Sequence, residues 1–175
     1  MKHIIFPFVA LLFVSCARKI YVVRHAEKQV LTDSASMKTM GSDVPLSDPG
    51  LIRAFNLRNG LKKKHITQIW STPTRRTMST ADPLSRFINI PIVNYKNTDS
   101  LVNVVKAGKG NVLIVGHSNT VDDIVNGLCG KKEVDGDLND KEYDNLFYIK
   151  MTNKGVVFTR LKYGKASQNL KYNYH

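Results

Sequence analysis

Cysteine is scarce in this sequence of 175 residues, which contains only Cys16 and Cys129. Cys129 ends the apolar stretch IVNGLCG, so we predict a small core residue there rather than a nucleophile. Cys16 is predicted below to carry a lipid. With Cys16 modified in that way, no intramolecular disulfide could stabilise the fold, whatever the redox state of the compartment.

Acidic residues are also few. The chain has 14 Asp and Glu against 26 Lys and Arg, which gives a formal net charge of +12. A surface of this charge attracts anions, but the excess does not choose among phosphorylated substrates, nucleic acid and acidic lipid headgroups. Nucleic acid is not expected, because basic and aromatic residues are not interleaved and no familiar nucleic-acid motif is present.

Long apolar runs are missing beyond the N-terminus, so no transmembrane helix is predicted there. At the N-terminus, Lys2 precedes an apolar stretch, Ile4 to Val14, which is too short to span a bilayer. The stretch ends in FVSC, which resembles the lipobox of bacterial lipoproteins. We therefore predict a signal peptide over residues 1–15 and lipidation of Cys16; an ordinary or uncleaved signal is the alternative. The expected location is the bacterial cell envelope, as an exported, periplasm-facing protein held to the membrane by its lipid anchor.

The rest of the chain alternates between two periodicities. Apolar and β-branched runs such as IYVVR, ITQIWS and NVLIVGH predict strands, and apolar residues three or four apart after LSDPG predict a helix. NLFYIKM, TNKG and VVFTRLKY predict an antiparallel hairpin. We predict one domain over residues 17–164, with a polar loop over residues 29–45 and a tail over residues 165–175. Its expected fold is α/β: a three-layer sandwich with a mostly parallel central sheet, helices on both faces and a C-terminal antiparallel hairpin.

Several basic side chains fall at the ends of predicted strands or the starts of predicted helices. Arg24 and His25 follow the first strand, His117 follows NVLIVG, and Arg75 begins a helix. Ligands of open α/β sheets bind beyond the carboxyl ends of the strands, so these residues are expected to meet in one crevice.

The chemistry of this set favours phosphoryl transfer. A histidine attacks phosphorus only through an unprotonated ring nitrogen, and neighbouring guanidiniums disfavour the imidazolium. Guanidiniums also bind phosphate oxygens bidentately and hold the phosphorus in line for attack. Arg24, Arg75 and His117 would stabilise the charge on the transferring group, while His25 would attack. The backbone N–H groups of Ser118 and Asn119 are expected to point at the same anion, from the start of a helix.

Four motifs in this order resemble those of the histidine phosphatase superfamily, also called phosphoglycerate-mutase-like: VVRHAEK, LSDPG, STPTRRTMSTA and VLIVGHSNT. The likeness is to the small phosphohistidine-phosphatase-like branch and covers about residues 19–162. It implies that His25 becomes phosphorylated, that Arg24, Arg75 and His117 bind the phosphoryl group, and that water then releases phosphate. The implied activity is hydrolysis of a phosphomonoester or phosphohistidine, on a small molecule or a phosphoprotein, without metal or organic cofactor.

Two departures from the family pattern matter. Ala26 stands where the family usually has glycine after the nucleophile. The second departure concerns the general acid, for which Asp82, Asp99 and Glu27 are the candidates; Asp82 is expected on the surface and Asp99 in a capping position. A phosphohistidine or acyl-phosphate substrate has a good leaving group and needs an acid less, so the pattern favours such a substrate.

Three alternatives remain. The same pocket could bind a phosphorylated ligand without catalysis, or the enzyme could be a phosphomutase. The protein could also bind nucleic acid or anionic lipid through its net positive charge. Mutases of this family are usually longer, which favours hydrolysis for this short chain. A metal site is not expected, because two arginines beside the histidines would repel a cation.

Overall fold

The computed structural model describes residues 17–31 and 43–167. The predicted signal peptide and Cys16, most of the predicted 29–45 loop and the end of the predicted tail lie outside the described residues. No helix within the described parts is long and apolar enough to cross a membrane.

Six strands and four helices alternate within the described residues, as the two periodicities predict. In chain order they are β1 (Arg18–Arg24), α1 (Asp48–Leu61), β2 (Ile66–Ser71), α2 (Arg75–Ile88), β3 (Ile92–Asn94), α3 (Thr98–Ala107), β4 (Asn111–Gly116), α4 (Val121–Cys129), β5 (Asn145–Thr152) and β6 (Gly155–Lys162).

The strands form one sheet in the order β3-β2-β4-β1-β5-β6. Strands β1 to β4 are parallel, and β5 and β6 form the antiparallel hairpin. The four parallel strands therefore end along one side of the sheet, here called the carboxyl edge, and begin along the opposite side, the amino edge. Each helix starts near the carboxyl edge and returns the chain toward the amino edge.

Alternate residues of β1 pack into two separate cores, one on each face of the sheet. Ile20 and Val22 pack with residues of α3 and α4, whereas Tyr21 and Val23 pack with residues of α1 and α2. The side chains of Ile20, Val22 and Val23 are fully buried, and burying an aliphatic side chain of this size contributes about 1.5–3 kcal/mol. The three-layer α/β fold predicted from the sequence is confirmed.

The start of α1 is fastened to the segment that follows β1. The Ser47 hydroxyl caps the helix by accepting from the Gly50 N–H, and the Ser47 N–H donates to the Glu27 carbonyl. A Cβ atom on Gly50 would lie 2.1 Å from that carbonyl oxygen, so only glycine fits here. This contact gives the LSDPG motif its function, which is to hold the chain just after Arg24-His25.

One boundary differs from the prediction. Helix α4 begins at Val121, whereas the sequence predicted a start at Ser118. The cause is a tight turn, in which the His117 N–H donates to the Thr120 hydroxyl and the N–H groups of Thr120 and Val121 donate to the His117 carbonyl. Ser118 and Asn119 lie in this turn, so the expectation of helix-start N–H groups at these two residues was wrong.

Candidate active site

Strand β1 carries Arg24 and His25 to the carboxyl edge in the middle of the sheet. Both side chains are 4% exposed, which is unusual for charged and titratable groups and calls for nearby partners. The His25 N–H donates to the Gly116 carbonyl at the end of the neighbouring strand β4. His25 and His117 consequently lie together, with 5.5 Å between ring centroids and an edge-to-face arrangement.

The tautomer of His25 follows from one contact. Its Nδ1 lies 2.8 Å from the Ala26 carbonyl oxygen, which can only accept, so Nδ1 carries the proton. Nε2 of the neutral ring then holds an unshared electron pair. Ala26 itself is fully buried against Leu46 and Ala54, and its N–H donates to the Thr80 hydroxyl. The methyl group that departs from the family's glycine therefore fills a small apolar pocket.

His117 is held by donors and acceptors on both ring nitrogens. Nη2 of Arg76 lies 3.3 Å from Nδ1, and because a guanidinium only donates, Nδ1 must accept. The proton is then on Nε2, which donates to the Thr72 hydroxyl at 2.9 Å. The Thr72 hydroxyl in turn donates to the Thr77 hydroxyl, which donates to the Thr72 carbonyl.

Arg24 has one donor without a partner. Its Nη1 donates to the Asn139 carbonyl, its Nη2 lies 3.7 Å from the exposed carboxylate of Asp140, and its guanidinium lies 4.3 Å from the ring centroid of Tyr143. Nε is buried and has no hydrogen-bond partner among the described residues. Such a group costs about 1–3 kcal/mol, so an orphan donor beside two histidines indicates a place for an anion.

Both histidines are held neutral. Burial is the main cause that lowers the pKa of His25 from 6.5 to about 3; the Ala26 hydrogen bond opposes the shift, and Arg24, Arg76 and His117 add to it. The pKa of His117 is lowered to about 4 by burial first and then by Arg76 and Arg24. At neutral pH this site therefore contains two guanidinium charges and two uncharged imidazoles, which suits an anionic ligand.

The structure places Arg76, and not Arg75, against the histidines. The Arg75 side chain is exposed, and its backbone N–H donates to the Asp43 carboxylate at 2.7 Å. Neighbouring residues on a helix point about 100° apart, so only one of the two arginines can face the site. The predicted position of Arg75 was wrong by one residue. The signal was present in the sequence, since Arg76 lies four residues before the buried Thr80, on the same helix face.

The predicted general acids do not join the cluster. Both carboxylate oxygens of Glu27 accept from Arg53, at 2.7–3.0 Å, which is a structural ion pair. Asp99 is exposed in the first turn of α3, where Asn97 rather than Asp99 provides the cap. Asp82 forms an exposed ion pair with Arg86.

Three residues outside the predicted set also belong to the site. Thr72 orients His117, and Tyr143 lies against both Arg24 and His25, with 5.9 Å between the two ring centroids. Asp140 lies in the same loop as Tyr143, between α4 and β5. Tyr143 and Asp140 reach the site because the Leu138 N–H bonds to the Ser118 carbonyl, a contact that no local sequence pattern signals. Within residues 17–31 and 43–167, no group of three or more His, Cys, Asp or Glu side chains could hold a metal ion.

Comparison with known proteins points to one class. The profile of the histidine phosphatase superfamily (branch 1) matches residues 20–101. No curated protein matches the sequence.

Among solved structures, the chain is similar to the protein histidine phosphatase SixA complexed with tungstate, with 17% identity, 82% of this chain and 96% of that chain covered, and a TM-score of 0.59. It is similar to a mycobacterial glucosyl-3-phosphoglycerate phosphatase, with 12% identity, coverages of 86% and 100%, and a TM-score of 0.60. It is also similar to a phosphoserine phosphatase mutant from Entamoeba histolytica in complex with phosphoserine, with 11% identity, coverages of 81% and 95%, and a TM-score of 0.57.

The fold is that of the histidine phosphatases. The profile match covers 82 of the 175 residues, and these solved structures are 11–17% identical to the chain, so the comparisons show similarity to the histidine phosphatase superfamily (branch 1).

Proposed function

We propose that this protein hydrolyses a phosphomonoester or phosphohistidine through a phosphohistidine intermediate at His25. Two observations on adjacent residues carry the proposal: Nε2 of the buried His25 ring is unprotonated, and the buried Nε donor of Arg24 has no partner among the described residues. A phosphoryl oxygen would satisfy that donor while the phosphorus meets the nucleophile. The profile match to a superfamily of phosphatases supports the same activity.

In the first step, the Nε2 electron pair of His25 forms a bond to phosphorus as the bond to the leaving group breaks. Arg24 and Arg76 bind the equatorial oxygens, whose charge grows during transfer. An anion near Arg76 also weakens that residue's effect on His117, so the pKa of His117 rises when the anion binds. When His117 takes up a proton, its Nδ1, which accepts from Arg76 in the free site, becomes a donor to the phosphoryl group.

In the second step, water attacks the phosphohistidine, the phosphorus–nitrogen bond breaks, and its electron pair returns to Nε2 of His25. His25 returns to its neutral form, so the oxygen and both protons of the attacking water leave with inorganic phosphate, as dihydrogen phosphate. Fixed guanidinium charges supply the electrostatic stabilisation that a metal ion gives in other phosphatases, so we propose hydrolysis without metal.

The substrate we favour has a good leaving group. Glu27 is engaged by Arg53 and Asp99 is exposed on α3, so neither is placed to protonate a poor leaving group. Phosphohistidine and acyl phosphates depart with less help, and one structural neighbour is itself a protein histidine phosphatase.

The test compares the full chain with His25→Ala, in the presence of a chelator, on an aryl phosphate, an acyl phosphate and a phosphohistidine peptide. We expect phosphate release that the chelator does not reduce, that falls below detection in the variant, and that is fastest on the acyl phosphate and the peptide. A phosphoenzyme that is acid-labile and absent from the variant should accumulate. Tungstate binding without turnover of any substrate would instead identify a non-catalytic binder.

We also propose that the protein is an exported bacterial lipoprotein anchored through Cys16. Strand β1 begins at Arg18, so the anchor would hold the amino edge of the sheet close to the membrane. Metabolic labelling with palmitate should be lost in Cys16→Ala. Equal labelling of the variant would refute lipidation at this residue.

A further inference from the structure

The six exposed lysines Lys62, Lys63, Lys64, Lys106, Lys109 and Lys154 lie at the amino edge of the sheet and are here called the basic face. They come from three separate parts of the chain: the connection after α1, the last turn of α3 with the connection that follows it, and the β5–β6 turn. Direct contacts join the first two connections, because the Asn111 side chain donates to the Lys64 carbonyl and the Gln68 side chain donates to the Lys109 carbonyl. The β5–β6 turn lies at the same edge, because Met151 near the end of β5 pairs with Arg18 at the start of β1.

The charge of the basic face is not balanced locally. Among the described residues, none of its lysines forms an ion pair. The acidic residues near the end of α4, Glu133 and Asp135, are each occupied by another lysine, at 2.9 Å by Lys131 and at 2.7 Å by Lys132. The basic face therefore retains its own positive charge for an outside partner.

The carboxyl edge carries exposed charges of both signs. The acids Asp99 and Asp123 lie in the first turns of α3 and α4, and Asp140 and Glu142 precede β5, while Lys28, Lys96 and Lys141 lie at the same edge. The pKa of Asp123 is raised by slight burial and by the carboxylates of Asp122, Asp99 and Asp137, which lie near it. An anionic surface would therefore attract the basic face more strongly than the carboxyl edge.

Two more features of the amino edge favour a membrane as the partner. The chain enters the domain here, and Ala17 and Arg18 line an open cavity of about 560 Å³ together with Lys109 and Gly110. Beside the basic face, Phe87 is 57% exposed and lies under the Lys62 ammonium, a combination typical of interfacial contacts.

From this arrangement we infer that the basic face binds the anionic surface of a lipid bilayer, with the site at the carboxyl edge turned away from the membrane. This contact is independent of catalysis and of acylation at Cys16. It adds an electrostatic attachment to the proposed lipid anchor, since two weak membrane signals together give stable binding where one gives reversible binding.

The experiment uses the full chain with Cys16→Ser, so that no acyl chain contributes. Its partition coefficient is measured on vesicles of phosphatidylcholine alone and on vesicles that also contain phosphatidylglycerol. The apolar N-terminal segment adds equally to both, so the ratio of the two coefficients reports electrostatic binding. We expect a ratio well above one that falls toward one as the salt concentration rises.

Two charge-matched variants locate the contact. Lys63, Lys64 and Lys109 changed together to Gln should lower the ratio at least about tenfold, because each lysine near an anionic bilayer contributes several-fold. Lys28, Lys96 and Lys141 changed together to Gln remove the same charge from the carboxyl edge and should lower it less than about twofold. Circular dichroism establishes that both variants are folded.

Three results would overturn the inference. A ratio near one for the parent means that there is no attraction to anionic lipid. Equal losses in the two triple variants mean that net charge, and not this face, is responsible. Tight binding to a DNA duplex that only the amino-edge variant weakens, without preference for anionic vesicles, would assign the face to nucleic acid.

Discussion

The two edges of the sheet differ in how they hold positive charge. At the carboxyl edge, Arg24 is 4% exposed and its Nη1 donates to the Asn139 carbonyl, whereas at the amino edge the lysines of the basic face are exposed. Burying a charged side chain costs free energy unless it is paired or hydrogen-bonded, so its orientation toward its partners is fixed. Exposed charged side chains need no fixed orientation, and they act through their total charge. A single substitution should therefore disable the first edge, while the second should respond only to several substitutions together.

The largest difference in activity is expected between a histidine substitution at the carboxyl edge and one at the amino edge. His25→Asn removes the proposed nucleophile and should lower kcat at least about 1000-fold. His65→Asn changes a histidine at the amino edge, where φ is 51° and asparagine is tolerated, and should leave kcat nearly unchanged. Phosphate release from an aryl phosphate measures both. Comparable activities would show that His25 does not react with phosphorus.

The next effect separates two neighbouring arginines. Arg76→Ala removes the guanidinium beside His117 and should lower kcat/KM about 100-fold or more, as does the loss of one donor in other charge-stabilising sites. Arg75→Ala removes an exposed side chain one residue earlier and should change kcat/KM little. A larger loss in Arg75→Ala would restore the assignment that the sequence suggested.

A third comparison uses two threonines. Thr80→Val leaves the buried Ala26 N–H without its acceptor and should cost about 1–3 kcal/mol of unfolding free energy, measured in urea. Thr67→Val removes a hydroxyl contact to the Asn111 carbonyl on the exposed amino edge and should cost less than about 0.5 kcal/mol. Equal costs would mean that the segment after His25 is not held by Thr80.

The last comparison concerns the pH dependence of stability, where the effect of the buried histidines is small at neutral pH and grows in acid. Unfolded imidazoles bind protons as the pH falls below about 6.5, whereas His25 and His117 in the folded protein resist protonation to about 3 and about 4. The unfolded state then binds more protons, so stability is lost as the pH falls from about 6.5 toward 4. His117→Gln should show a shallower loss in urea unfolding between these values. Parallel losses would place the pKa of His117 near its ordinary value.

The fold could be predicted because its information is local. The β-branched run of β1 and the apolar run of β4 specify buried strands, and Ser47, Pro49 and Gly50 specify a helix start. The predicted hairpin is also close to the observed β5 and β6. The start of α4 was not, because the Thr120 hydroxyl accepts from His117 and delays the helix by a turn.

The site was predictable only where it depends on strand ends. His25 and His117 follow parallel strands that pair side by side, so topology alone brings them together. The pairing of Glu27 with Arg53 joins residues 26 positions apart, and Tyr143 reaches Arg24 through a loop; neither contact has a periodic signal. The grouping of the basic face at one edge likewise requires the strand directions, because its lysines are scattered along the chain.

The bond from His25 Nδ1 to the carbonyl of the next residue has a chemical consequence for the phosphoenzyme. Free histidine is phosphorylated on either ring nitrogen, which gives two regioisomers. In this ring one nitrogen is occupied within the chain itself, before any substrate arrives, so phosphorus is expected to bond only to the other. The intermediate should be a single species, the tele isomer, and its ³¹P resonance should show one line where an unrestrained imidazole would give two.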